Sequence, residues 1–225
     1  MHLTDYYLRV LGPLFFITVL GFSHTSSAQV SIDTTWTMSD FVHDIMLGQG
    51  TEVSNITYNG EPAETYISPH CGYLTTANSP FPIAEGVAMS TGRADRMTQM
   101  TLGVAVFENF QDDPDLEVIA GVPVNNCAVL EFDFVADSTL FSLDYVFASE
   151  EYPHFTCSLF NDAFGVFLSG PGLQGPFTNN AENIATIPGT EIPVAINTIN
   201  AGLPMPPGLP NPCLEANPNY QNDSI

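Results

Sequence analysis

The chain has 225 residues, 44% of them hydrophobic, and sets 25 acidic residues against three arginines and no lysine, for a formal charge of −22 at pH 7. Length and apolar content suit one globular core of the sandwich or barrel class. The charge excludes nucleic acid and anionic membrane surfaces as partners, because phosphate groups need Lys and Arg to neutralise them.

Residues 1–28 read as a secretory signal. Arg9 precedes the apolar run Val10 to Phe22, and Ser26-Ser27-Ala28 puts small residues at the −3 and −1 positions before Gln29. Asp5 departs from the usual leader. The run is interrupted by Pro13 and falls short of the about 20 apolar residues that a spanning helix needs. No later stretch is long enough either. Without the leader, 24 acids and two arginines remain.

Residues 29–200 carry the pattern of one domain. "SDFVHDIMLG" predicts a short helix with Ser39 as N-cap, Asp40 in the first turn and Gly48 as terminator. Its apolar face is Phe41, Val42, Ile45 and Met46, and His43 points off that face. "VSNITY", the turn Asn59-Gly60 and "EPAETYI" predict a hairpin, with Pro62 confining the second arm to an edge. "LEFDF" alternates Leu130, Phe132 and Phe134 with two acids, as a half-buried strand does. "LFSLDYVFA" puts Phe141, Leu143, Tyr145 and Phe147 on one face. "AFGVFLSG" alternates through Phe164, Val166 and Leu168, and "TEIPVAINTI" through Ile192, Val194 and Ile196 with Pro193 opposite. Short strands between Gly, Pro and Asn turns predict a mainly β fold, an antiparallel β-sandwich or jelly roll with one short N-terminal helix. Residues 201–225 are rich in Pro and Asn, lack periodicity and read as a loop.

Four cysteines, Cys71, Cys127, Cys157 and Cys213, contain no C-x-x-C pair. In an exported chain they are disulfide candidates, with three connectivities open.

The candidate chemistry centres on "FASEEYPHF" and "FNDAFG". If 140–148 and 163–168 form an antiparallel hairpin, its loop brings Glu150, Glu151, Asn161 and Asp162 together. Close carboxylates there repel by about 4 kcal/mol per pair at an intermediate dielectric. Oxygen ligands of this kind suit Ca²⁺, which takes six to eight in flexible geometry. Solvation, or capping of loop N–H groups, would answer the same repulsion, and no EF-hand pattern is present. A glycosidase pair needs two carboxyls across a cleft. Adjacent strand residues face opposite ways, so Glu150 and Glu151 are not that pair, and only one of them with Asp162 remains. His154 lacks a G-x-S-x-G elbow and reads as a loop histidine. "GPGLQG" matches G-x-G-x-x-G, but no helix pattern follows it, so it reads as a glycine loop. Arg93 and Arg96 are expected to pair with acids. Tyr152 and Phe155 could stack on sugar, or pack the loop onto its own sheet.

"DYVFASEEYPHFTCSLFNDAFGVFLSGPG" resembles the signature of the choice-of-anchor L domain, a family of secreted bacterial surface proteins, many from Bacteroidetes. "FVHDIMLGQGTEVSNITYNGEPAE", "GVAMSTG", the acidic loop "DDPDLEVIAG" and "NIATIPGTEIPVAINTIN" agree in order, over roughly residues 36–200. The resemblance implies an exported domain of a larger protein whose C-terminal anchor varies: a type IX secretion sorting domain, a gliding-motility-associated region or a PEP-CTERM segment. It brings no catalytic residues. It also implies further strands after the proline-rich loop, so the chain is expected to stop before the domain's last strands and its anchor.

The resulting expectation is a non-catalytic cell-surface or adhesin-like domain, with Ca²⁺ as candidate cofactor and an extracellular protein or glycan as partner. The alternative is a carbohydrate-binding module or a secreted glycoside hydrolase using the acidic loop.

Overall fold

The computed structural model describes residues 29–48, 50–98, 111–136, 140–149, 156 and 161–199. β1 (Gln29–Asp33) leads into α1 (Met38–Asp40), which continues as a π-helical turn over Phe41–Met46. The helix starts earlier than Ser39. Thr37 is the N-cap: its hydroxyl accepts from Asp40 N at 3.1 Å, while the Asp40 carboxylate accepts from Thr37 N at 2.9 Å. This reciprocal box satisfies two orphan donors at once, an advantage Ser39 does not have. The π turn ends with Leu47 N–H on Val42 O, and Gly48 follows at φ +75° as expected of a terminator.

β2 (Val53–Tyr58) and β3 (Glu61–Pro62) form the expected hairpin, with Asn59 and Gly60 both at positive φ as a type I′ turn requires. β4 (Cys71–Ala77) pairs with β5 (Glu85–Met89), and β6 (Leu130–Phe134) returns to β2. Two three-stranded antiparallel sheets result, in the orders β1-β4-β5 and β3-β2-β6. Pro62 therefore sits on an edge strand. A register shift between Ser54 and Thr57, with Asn55 at φ +54°, bulges β2 and turns Ile56 and Tyr58 inward.

Both sheets close on the helix. Met38, Phe41 and Val42 are 0% exposed, and Ile56, Tyr58, Ala63 and Cys71 complete the buried cluster. Leu130 and Phe132 of β6 pack on it from one sheet, Tyr73, Val87 and Met89 from the other. Each such side chain, fully buried, contributes about 1.5–3 kcal/mol.

The second part of the domain is built from smaller pieces. "DDPDLEVIAG" is not a loop throughout. Its Pro114–Ala120 segment is helix α2, capped by Asp113, opened by Pro114 and closed by Gly121 at φ +69°. β7 (Ala163–Phe164) pairs with β10 (Val194–Ala195), and β8 (Phe167–Leu168) with β9 (Glu182–Asn183). α3 (Ile196–Ile199) follows β10 directly, so the strand expected through Ile196 ends one residue before it.

The expected 140–148/163–168 hairpin does not form. Residues 140–149 make no ladder, and the rungs of β7 and β8 go to β10 and β9. The segment attaches through side chains instead: Tyr145 and Phe147 lie 5.2 and 6.5 Å from the Phe164 ring, and Phe141 5.8 Å from Phe134. Alternation correctly marked the packed face but carried no information about backbone pairing. Among the described residues the fold is mainly antiparallel β with short helices and no closed barrel.

Candidate functional site

Two of the four candidate metal ligands, Asn161 and Asp162, are described, at the entry to β7. Glu150, Glu151, Tyr152, His154, Phe155, Cys157 and Cys213 lie outside the described residues. Asn161 joins two helix ends. Its Nδ2 donates to Ala120 O at 2.7 Å, at the C-terminus of α2, and its Oδ1 accepts from Asn197 N at 2.9 Å, in the first turn of α3. Both are groups a helix leaves without an internal partner. Asp162 adds a backbone tie, its carbonyl accepting from Ile196 N at 3.0 Å.

The Asp162 side chain reaches the surface, yet the protein crowded around it displaces water and raises the carboxyl pKa. No ion pair among the described residues offsets this; Asp95 holds Arg93 through two 3.0 Å contacts, as expected of Arg93. No three His, Cys, Asp or Glu side chains converge as a metal site among the described residues.

Cys71 and Cys127 are free buried thiols, so the expected staple does not use either one here. Burial pushes the Cys71 thiol up to about 12, and burial together with Asp113, Asp112 and Glu117 pushes Cys127 up to about 11. Such thiols are poor nucleophiles. Cys71 belongs to a small polar group inside the core. Ser68 is 1% exposed and its hydroxyl accepts from His70 N; His70, itself buried, donates from Nδ1 to Gly92 O at 2.7 Å. The buried Tyr58 hydroxyl beside Cys71 makes no hydrogen bond of full geometry. Ser68 and His70 are marked by neither periodicity nor motif, which is why sequence reasoning passed over them.

Among the described residues, the surface is recessed at two places of note. The first, about 300 Å³, is apolar and lined by Phe141, Leu143, Tyr145, Val166, Leu168 and Ile184. The second, about 350 Å³, is lined by Thr35, Trp36, Asp40 and Asp44. Trp36 stacks on Tyr73 at 4.4 Å, and the Asp40 carboxylate is held in the Thr37 cap. The "GPGLQG" loop runs into a 3₁₀ turn at Thr178–Asn180, without the long helix a dinucleotide would need.

No helix among the described residues is long and apolar enough to cross a membrane. No curated protein and no solved structure matches this chain. The family model of the choice-of-anchor L domain matches it over residues 29–224, beginning at the first residue of β1. That match spans most of the sequence, so the chain belongs to the choice-of-anchor L domain family.

Proposed function

We propose that this chain is an exported, non-catalytic domain of a larger anchored protein, displayed at the cell surface and contacting an extracellular protein or glycan. The family match carries this reading, because the family marks surface-associated, anchored proteins. Two further features support it. The leader-like residues 1–28 route the chain outward. The lysine-free, strongly acidic composition keeps a displayed domain soluble and repels anionic surfaces. Surface labelling of intact cells with an antibody to the domain tests it, with protease shaving as the second readout. Signal confined to the cytoplasm would defeat the reading.

A Ca²⁺ ion held by Glu150, Glu151, Asn161 and Asp162 is the second part of the proposal. It is supported by the raised Asp162 carboxyl, a desolvated acid that a cation would return to its charged form. Asn161 Oδ1 already accepts from Asn197 N–H, and a carbonyl oxygen keeps a second lone pair for a metal. A glycan array separates the sugar-binding alternative from a protein-contacting domain. Turnover of any bound glycan would bring back the hydrolase.

A further inference from the structure

We propose that Gln29 is the mature N-terminus and that it closes on itself as a pyroglutamyl residue. The proposal rests on the export reading above and goes beyond it to a covalent modification.

Three independent observations meet at this residue. Ser26 and Ala28 stand at the −3 and −1 positions of a cut before Gln29. The family match begins at residue 29. The ladder of β1 begins there as well, with Gln29 in register with Ala77. A cut deeper into the chain would remove rungs from this ladder.

The chemistry then needs nothing from outside. The freed α-amine, as its neutral base, attacks Cδ of its own side-chain amide. A C–N bond forms to close a five-membered lactam, and the Cδ–NH₂ bond breaks. Ammonia leaves with the proton given up by the amine, and no oxidant or co-reactant is consumed. Glutamine suits this closure, since asparagine at the same place would need a strained four-membered ring.

The fold leaves the reaction room. Gln29 is exposed, and no described side-chain hydrogen bond engages its amide. The residue keeps its carbonyl, and the ring carbon takes the place of the peptide N–H as in proline, which the first residue of an edge strand tolerates. The result matters because β1 is an edge strand. A free terminus on an edge is where fraying and proteolysis start. A lactam removes both the terminal charge and the free amine that aminopeptidases require.

The test reads the full chain as exported by the cells that make it. Samples are quenched in acid, where the α-amine stays protonated and cannot cyclise in handling. Expected are an N-terminal proteolytic peptide that begins at Gln29 and is lighter by one ammonia, and an N-terminus closed to sequencing until pyroglutamyl aminopeptidase opens it. Gln29→Ser should be cut at the same place, keep its full mass and sequence directly. Wild-type protein beginning at Gln29 with a free amine would overturn the cyclisation while leaving export intact. A different first residue would overturn the cyclisation alone, and a chain kept in the cells with its leader uncut would overturn both.

Discussion

β4 makes five rungs with β1 and five with β5, whereas β7 makes two with β10 and β8 two with β9. The first region is long strands closed over a helix that buries Met38, Phe41 and Val42 completely. In the second, side chains replace the missing rungs. Asn183 Oδ1 accepts from both Val166 N and Ala185 N, Thr198 Oγ1 accepts from Ala195 N and donates to Pro193 O, and Asn161 ties α2 to α3. Apolar burial is non-directional and tolerates small shifts, while hydrogen bonds to single backbone groups fix position and fail abruptly when one partner is removed. The signature "FNDAFG" belongs to the second kind of construction.

The largest expected effect lies in the first region. Phe41→Ala empties the centre of the buried cluster, where the ring is 0% exposed between two sheets. A loss of about 3–5 kcal/mol is expected in urea unfolding. A loss below about 1 kcal/mol would mean that the helix is not the keystone of the two sheets.

The calcium proposed above would act on the second region alone. At a hundredfold excess over Kd, a cation bound only by the native state adds about 2.7 kcal/mol, visible as a higher melting midpoint in Ca²⁺ than in EDTA. Asp162→Ala should abolish the shift. Coincident wild-type curves would eliminate the cation.

Asn161→Ala then tests the staple without metal. It leaves Ala120 O and Asn197 N without their partner, at a cost of about 1–3 kcal/mol in EDTA. Asn161→Asp keeps an acceptor for Asn197 N and loses only the donor to Ala120 O, so it should fall between wild type and alanine. Equal losses from both substitutions would show that the Asn197 bond contributes nothing.

The same division governs what could be read from the sequence. The Asn59-Gly60 hairpin, β6 and the N-terminal helix were legible because each is set by neighbours in the chain. The true N-cap, Thr37, was missed for Ser39 although the Thr37-x-x-Asp40 box is local. Helix α2 was missed because its acids suggested a loop, while Asp113, Pro114 and Gly121 already spelled its cap, first position and stop. Asn161 was singled out for the acids beside it, but its partners stand 41 and 36 residues away, at helix ends that no local pattern announces. For 140–149 the alternation named the rings that pack on Phe134 and Phe164 and said nothing of where the backbone bonds go.

The smallest effect returns to the first region and is absent at neutral pH. An acid whose pKa is raised by folding keeps its proton in the native state while the unfolded chain ionises. Its contribution is complete below the unfolded value and is lost as pH climbs toward the folded one. Cys71 moves from the ordinary thiol value of 9.0 up to about 12, so stability should begin to fall near pH 9. By pH 10 the loss from Cys71 alone should reach about 1 kcal/mol. Cys127 adds in the same direction, and above pH 10 the raised phenols of Tyr58, Tyr73 and Tyr145 join. The window between 9 and 10 therefore isolates the thiols, and Cys71→Ala should flatten the stability profile there while leaving the tyrosine limb in place. A native protein whose Cys71 reacts with a thiol reagent at pH 8 as fast as the unfolded chain would show that the first region opens more easily than its long ladders imply.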